Sequence, residues 1–326
     1  TTDVPQSDIV VVATASDDYS TGALAAIGLS DWIVYGPIAA VSGDPVVQVD
    51  QAEVIQINRL GVDTVRIYDP KTWGKPTQEF SVGAGNNPQA AARCGDEWWV
   101  SLYEQAFVGR FRSGNQVGSL DLSTWADGDG LPEASDLVVS EGVVYAALQR
   151  LDRGNGWTAE DFGVVVRLDC DQQKVMDGIE VGPNPTLSLD PAGTVWVVSP
   201  EVGLQRLEKG VVETVLSDFG GYRAHRAALD AEGRGMVIAY AEDEADYALF
   251  CVDVPKESVT LASKTTSYLT DVVIAGGEAW VSARRSWLNE GALGGVMVWD
   301  LASCEERTGG DWIHAGLDPV SLAVLP

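Results

Sequence analysis

The chain has 326 residues, of which 45% are hydrophobic, so it is long enough to bury a substantial core. Its 48 acidic and 21 basic residues give a formal net charge of −27 at pH 7, which repels nucleic acid and anionic membrane surfaces. No apolar run approaches the roughly 20 residues that a membrane-spanning helix requires. These totals argue against a nucleic-acid-binding protein and against a helical membrane protein.

A strand pattern recurs along the chain with a period of about 40 to 51 residues, which is typical of the blades of a β-propeller. Its second strand carries one large apolar anchor in each copy. The anchors are Val12, Ile55, Trp99, Tyr145, Trp196, Met236 and Trp280. Because they recur with the repeat, we expect them to fill the core between neighbouring blades.

The other strands follow in step with the anchors. Inner strands are predicted before the anchors at 44–50, 87–93, 135–140, 184–190 and 225–230. Third strands are predicted after them at 64–69, 164–169, 248–253 and 296–300. A more polar outer strand leads into each next copy. The 35 glycines and 14 prolines fall at turn-like spacing, so we expect almost no helix.

The two ends of the chain determine the number of blades. The segment 316–326 supplies an inner strand with no second strand after it, and the segment 8–15 supplies the missing second strand. A blade built from both termini closes the ring and removes exposed sheet edges. We therefore predict an all-β, seven-bladed propeller of four-stranded antiparallel blades over residues 8–326, preceded by a tail at 1–7; six or eight blades are the alternatives.

Several short motifs resemble those of bacterial seven-bladed propellers of the YVTN-repeat type, which are related in architecture to NHL and quinoprotein-like propellers. The matching pieces are the second-strand ends WWVSL, VYAAL, VWVVS and AWVSA, the third-strand ends VRIYDP, VVVRLDC and VMVWDL, and the X-Pro steps at residues 44–45, 87–88, 184–185 and 318–319. The resemblance covers nearly the whole chain from Asp8. It implies the fold but no single function, because such propellers serve as binding scaffolds, lactonases, lyases and assembly factors.

A set of basic residues stands out in this acidic chain. Arginines follow the predicted second strands, and a further basic group lies where one blade begins. These residues are Arg59, Arg150, Arg153, Arg284 and Arg285, with Arg223, His225 and Arg226 at the start of the blade. Together they could bind a carboxylate or phosphate, since guanidinium groups hold such anions in a bidentate way. The alternative is that each arginine pairs with one of the many surface acids.

Two long loops, 150–163 and 284–295, each carry a tryptophan outside the anchor positions, Trp157 and Trp287. An aromatic side chain on the rim of a propeller suits contact with a sugar, a peptide or a partner protein. The alternative is that each tryptophan folds down over the core.

Oxygen ligands at the starts of several blades suggest a central cation. Asp44, Asn87, Asn184 and Asp318 each precede a proline, and the resemblance to propeller lactonases and lyases implies Ca²⁺ as the metal. The alternative is that these side chains make local turn hydrogen bonds. A second, weaker pattern runs from Trp125 to Asp136. It has part of a calcium-loop spacing at Asp127, Asp129, Gly130 and Asp136, but Trp125 stands in the first ligand position.

The four cysteines, Cys94, Cys170, Cys251 and Cys304, are too far apart in sequence for a CxxC motif. In an exported protein they would form one or two disulfides, with three connectivities open for two bridges; buried free thiols are the alternative. The polar segment that begins at Thr1 fits a mature product without its export signal or lipid-anchored leader, or a trimmed chain. We therefore expect an extracytoplasmic protein.

The sequence favours a monomeric binding module that captures a protein or a small anionic or carbohydrate ligand on its loop face. The alternative is a Ca²⁺-dependent hydrolase or lyase of the lactonase-like type, in which His225 would be the acid–base group. Catalytic motifs are scarce: there are two histidines, and neither a GxSxG nor an HExxH motif occurs.

Overall fold

A computed structural model describes residues 3–285 and 293–326 and contains seven four-stranded antiparallel sheets, the blades of a propeller. The first strands in chain order are β1 (Ile9–Ala15), β2 (Gly22–Gly28), β3 (Val34–Val41), β4 (Pro45–Asp50), β5 (Glu53–Asn58), β6 (Thr64–Tyr68), β7 (Gln78–Ser81), β8 (Pro88–Cys94), β9 (Glu97–Leu102), β10 (Phe107–Arg112), β11 (Asn115–Asp121), β12 (Ala134–Ser140), β13 (Val143–Leu148), β14 (Leu151–Asp152) and β15 (Thr158–Ala159). The strands that follow are β16 (Gly163–Asp169), β17 (Lys174–Val181), β18 (Thr186–Leu189), β19 (Val195–Ser199), β20 (Gly203–Glu208), β21 (Val211–Leu216), β22 (Arg223–Leu229), β23 (Arg234–Tyr240), β24 (Tyr247–Asp253), β25 (Ser258–Thr265), β26 (Tyr268–Ala275), β27 (Glu278–Arg284), β28 (Gly295–Asp300), β29 (Glu305–Glu306) and β30 (Asp318–Leu325).

The blades follow one another along the chain, and each is numbered here by its order. Blade 1 has the strand order β3-β2-β1-β30, and blades 2 and 3 are β4 to β7 and β8 to β11. Blade 4 is β12-β13-β16-β17, and blades 5, 6 and 7 are β18 to β21, β22 to β25 and β26 to β29. Strands β14 and β15 form a separate two-stranded hairpin between the second and third strands of blade 4.

Helix is confined to short 3₁₀ turns in the described part of the chain, as the sequence predicts. They are Pro70–Thr72, Ser123–Trp125, Arg153–Asn155 and Val254–Lys256. None of the helices among the described residues is long and apolar enough to cross a membrane.

The ring closes through its termini. The C-terminal strand β30 pairs antiparallel with β1 over their whole lengths, from Ile9 opposite Leu325 to Ala15 opposite Asp318. Blade 1 therefore takes its inner strand from one end of the chain and its other three strands from the other end. This confirms the predicted seven-bladed fold and its mode of closure.

The hydrophobic core lies between the blades. Trp99 packs among residues of blades 3 and 4, Trp196 among those of blades 5 and 6, and Trp280 among those of blades 7 and 1. All three indoles are at most 3% exposed, which confirms the predicted role of these three anchors; Tyr145 is half-buried against the seam of blades 4 and 5. These three seams each bury a tryptophan, and burial of this apolar area stabilises the ring.

Two disulfides, Cys94–Cys170 and Cys251–Cys304, use all four cysteines. The first joins the inner strand of blade 3 to the turn after β16 in blade 4. The second joins β24 of blade 6 to the turn after β28 in blade 7. Each bridge therefore crosses a seam between neighbouring blades, and the sequence had left this pairing as one of three possibilities.

Candidate binding channel

The inner strands of the blades surround a central channel, and β-bulges near their starts shape its lining. The register shifts at this point in β8, β12, β22, β26 and β30. A bulge turns two successive side chains to the same side of a strand. As a result, paired neighbours such as His225 and Arg226, or Thr270 and Asp271, both line the channel.

The channel encloses about 980 Å³ and differs between its two ends. At the ends where the inner strands finish, its walls are apolar. Val49, Val138, Leu189 and Val273 lie there. At the ends where the inner strands start, the walls are polar and the loops after the second strands add further side chains. This polar end is called the mouth below.

An ion pair crosses the polar part of the channel. Arg226 Nη1 lies 3.6 Å from Asp136 Oδ1, and Asp271 is near enough for its charge to act on the guanidinium group. Burial works to lower the pKa of Arg226, but the carboxylates of Asp136 and Asp271 raise it overall. Burial raises the pKa of Asp271, and Arg226 opposes this shift. Arg226 is therefore a fixed cation near two carboxylates.

The same polar side chains tie neighbouring blades together. Asp136 Oδ2 accepts a hydrogen bond from Leu187 N of the next blade at 3.1 Å, and Asp271 Oδ2 accepts one from Leu322 N at 2.9 Å. Gln48 Oε1 likewise accepts from Ala91 N at 2.8 Å. Such bonds satisfy backbone N–H groups that face the channel. Part of the polarity of the channel thus has a structural role.

His225 lies half-buried in the channel wall near the start of β22, with its ring edge-on to Tyr240 at 5.9 Å between centroids. Burial, together with the positive charge of Arg226, lowers the pKa of His225 to about 3. The imidazole is therefore neutral at neutral pH, and with so low a pKa it is a weak proton acceptor and is not available as a charged proton donor. This environment does not suit the acid–base role that the enzyme hypothesis assigns to it.

Large apolar side chains are exposed around the mouth. Tyr19 is 51% exposed, Leu60 is 70% exposed and Tyr268 is 38% exposed, and all three border the channel. Tyr103 also borders it and donates its hydroxyl hydrogen bond to Gln149 Oε1 at 2.9 Å. Exposed apolar groups gathered around one opening are a common mark of a binding surface.

Three of the predicted anion-binding residues, Arg59, His225 and Arg226, line the channel. Arg59 bonds Asp44 at 2.5 Å and Gln89 at 2.7 Å at the mouth. Its positive charge is already compensated there by a carboxylate.

The other predicted arginines lie outside the lining, and each has a partner. Arg223 pairs with Glu201 and Glu242, and Arg285 pairs with Asp17 and Asp318. Arg150 stacks on Phe162 at 4.4 Å. Arg284 is buried, stacks on Tyr19 at 4.2 Å and donates to Ser16 O. The predicted anion site stays a prediction, since the structure couples these arginines mainly to carboxylates and aromatic rings.

The predicted calcium ligands are also engaged in local contacts. Asp44 and Asp318 hold Arg59 and Arg285. The side-chain oxygen of Asn87 accepts from Leu60 N at 3.3 Å and from the Gln89 amide at 3.0 Å. Asn184 Oδ1 is buried and accepts no hydrogen bond within the described residues. A central Ca²⁺ on these four residues stays a prediction.

Of the two predicted rim tryptophans, Trp287 lies outside the described residues. Trp157 is 52% exposed, in the β14–β15 loop directly before β15, where its φ of 65° is in the left-handed region. The Arg153 guanidinium group stacks on its ring at 4.8 Å. An exposed aromatic residue in this costly conformation stands where a loop could contact a partner.

Sequence reasoning missed several of the residues that form the channel. They are Tyr19, Leu60, Tyr103, Asp136, Tyr268 and Asp271. A signal for two of them was present, because Asp136 and Asp271 occupy the same position in their inner strands as Arg226 does. The tyrosines carry no such signal, because they lie in loops or strand ends that the repeat leaves variable.

Comparisons with known proteins support the fold. No protein-family model matches the chain, and neither does any curated protein, so the YVTN type receives no support. Among solved structures, the β-propeller domain of Cps50 (Swd1) from Myceliophteria thermophila has a TM-score of 0.62 and 12% identity, over 92% of this chain and 99% of that one. Kuenenia stuttgartiensis hydrazine synthase has a TM-score of 0.58 and 14% identity, over 93% and 97%. Apo AztD from Citrobacter koseri has a TM-score of 0.52 and 11% identity, over 97% of each chain. At these identities the likeness shows the propeller fold alone.

Proposed function

We propose that this protein is a binding module that captures a peptide segment of a partner protein, or a small ligand, at the mouth of its central channel. The observation that carries this proposal is the exposure of Tyr19, Leu60 and Tyr268 around an opening of about 980 Å³ with a polar interior. Aromatic and aliphatic groups at a concave opening supply the apolar contact area on which recognition depends.

The charges in the channel favour one class of ligand. The lining holds three carboxylates, of Asp44, Asp136 and Asp271, against the guanidinium groups of Arg59 and Arg226. An anion entering this space would meet a net negative charge and arginines that are already paired. A neutral or cationic segment with hydrogen-bond donors is therefore a better complement than the small anionic ligand that was one of the alternatives from the sequence.

The disulfides support a location outside the cytoplasm. Two bridges cross blade seams, and such bonds persist mainly in oxidising compartments. We therefore propose that the protein functions in the periplasm, in the extracellular space or at the cell surface.

A displayed library of 12-residue peptides tests this function. Peptides would be selected on the wild-type protein and then measured against the Tyr19→Ala, Leu60→Ala double variant. We expect about a tenfold or greater loss of affinity, because these side chains supply apolar contact at the mouth. The matched control is Val211→Ala with Leu261→Ala, which removes exposed apolar groups from the outer strands β21 and β25.

The proposal is supported if the selected peptides bind the control variant as tightly as the wild type and bind the mouth variant much more weakly. Selected peptides that bind the mouth variant as tightly as the wild type would overturn it. Thermal melting of both variants separates loss of contact from loss of fold.

A further inference from the structure

Three carboxylates converge beside the channel mouth. Asp127, Asp129 and Glu133 lie on the loop that leads from β11 into blade 4, and each offers an oxygen within 4.8 Å of the other two. This arrangement corrects the sequence prediction, in which Asp136 completed the calcium-loop pattern. Asp136 instead faces the channel and pairs with Arg226, and Glu133 takes its place in the cluster.

Glu133 is the member of this cluster that points to a ligand. Its side chain is 0% exposed, which is costly for a carboxylate that is not fully compensated. One oxygen, Oε2, accepts from Leu151 N at 3.1 Å. The other, Oε1, is buried and accepts no hydrogen bond within the described residues, and the same is true of Asp127 Oδ2. Two buried oxygens of this cluster are thus left without a hydrogen bond.

Arg153 is the cation beside the cluster, and it leaves most of the negative charge uncompensated. Its Nε lies 3.3 Å from Glu133 Oε1 and 3.8 Å from Asp129 Oδ2, without a hydrogen bond to either. Its other nitrogens are engaged elsewhere, with Glu104 and with Tyr103 O. The single positive charge of Arg153 therefore faces four carboxylates, the three of the cluster and that of Glu104.

We propose that Asp127, Asp129 and Glu133 bind a divalent cation of the Ca²⁺ type. Carboxylate oxygens are the ligands that this hard cation prefers, and its flexible coordination allows waters to complete a partly open loop site. The ion supplies two positive charges to the buried oxygens that Arg153 leaves without a hydrogen bond. This site is distinct from the four residues at the blade starts.

The position of the cluster gives the cation a structural consequence. Asp129 Oδ2 accepts from Arg153 N at 3.3 Å, and Glu133 binds Leu151 N, so the same carboxylates hold the β14–β15 hairpin. The loop of that hairpin carries Trp157, and Arg153 links it to Tyr103 of the channel mouth. Binding of the cation therefore fixes the hairpin beside the mouth.

Titration with Tb³⁺, followed by displacement with Ca²⁺, tests the site. Tb³⁺ takes the same oxygen ligands, and Trp157, stacked on Arg153 next to the cluster, can sensitise its luminescence. For the wild type we expect a saturable signal with one ion per chain that Ca²⁺ reverses. Asp127→Asn and Asp129→Asn should each weaken Ca²⁺ binding roughly tenfold or more, because each removes one charged ligand.

The matched control is Asp243→Asn with Asp246→Asn, which removes two exposed carboxylates from the β23–β24 loop and should leave the affinity unchanged. This control separates a built site from general attraction to a chain of net charge −27. Anomalous scattering from a Tb³⁺-soaked crystal should place the ion between Asp127, Asp129 and Glu133.

A titration without saturation, equal Ca²⁺ affinity in the wild type and both single variants, or an ion found elsewhere would each overturn the proposal. Melting curves recorded without metal show whether each variant is folded, and the two single variants provide independent tests if one of them is not.

Discussion

Arg226 of blade 6 and Asp136 of blade 4 form an ion pair across the channel, with Nη1 3.6 Å from Oδ1. Blade 5 lies between these two blades in the ring, so the pair bridges strands that share no sheet. Asp136 also accepts from Leu187 N of blade 5 at 3.1 Å. This one carboxylate therefore connects three successive blades at the polar end of the channel.

Removal of this carboxylate should destabilise the ring. We expect Asp136→Asn to lower the free energy of unfolding by about 1–3 kcal/mol, because Arg226 loses one of its two neighbouring carboxylates within a partly desolvated channel. Guanidinium denaturation measures the change. A double-mutant cycle with Arg226→Gln should show coupling between the two residues. Strictly additive effects would contradict the connection described here.

Acid should destabilise the protein through His225. Its pKa is about 3 in the folded protein, against 6.5 for an unperturbed histidine such as that of the unfolded chain. Between these pH values the unfolded chain binds a proton that the folded protein does not. The contribution of His225 to stability is therefore complete above pH 6.5 and is lost as the pH falls towards 3. The free energy of unfolding should fall by up to about 1.4 kcal/mol per pH unit in this range.

The test compares unfolding free energies of the wild type and His225→Gln between pH 7 and pH 4. The variant should lose stability less steeply, because it has no group that titrates at this position. Asp271, whose pKa burial raises, works in the opposite direction and is present in both proteins. Equal slopes for the two proteins would contradict the buried, neutral state of His225.

Truncation to alanine should destabilise the protein strongly at a buried anchor tryptophan and weakly at a loop tryptophan. Trp99→Ala should cost about 3–5 kcal/mol, because the indole is fully buried between blades 3 and 4. Trp157→Ala should change stability by roughly 0.5 kcal/mol or less, since its ring is half exposed. Thermal or chemical denaturation measures both. A large loss for Trp157→Ala would show that its ring is part of a packed core.

The disulfide between blades 6 and 7 should be a strong contributor to stability. Cys251 and Cys304 are 53 residues apart in sequence, so their bridge restricts a long loop of the unfolded chain. We expect Cys251→Ser with Cys304→Ser to lower the free energy of unfolding by about 2–4 kcal/mol. Denaturation with and without reductant measures this. A wild-type protein whose stability is insensitive to reduction would contradict the assignment.

The fold was predictable because it repeats. Trp99, Trp196 and Trp280 mark equivalent seams, and the termini supply complementary parts of one blade, so spacing alone determined the architecture. The small β14–β15 hairpin escaped prediction because its two-residue strands are too short to show a period.

The site was far less predictable, because it depends on where separate loops meet. Tyr19 and Tyr268 border the same opening, although they are far apart in sequence and belong to different blades. The pairing of Arg226 with Asp136 depends on bulges that turn both side chains into the channel, and a bulge leaves no clear sequence signal here. Arginines that appear free in the sequence acquire partners only in the folded ring, as Arg59 does with Asp44.

The central claim is that the channel mouth binds the ligand, and amide hydrogen exchange tests it most directly. The exchange of the free protein would be compared with that of its complex with a selected peptide. We predict slower exchange at the mouth, around Tyr19, Leu60, Tyr103 and Tyr268, and unchanged exchange in the outer strands β21 and β25. Protection confined to the outer strands, with none at the mouth, would contradict the account.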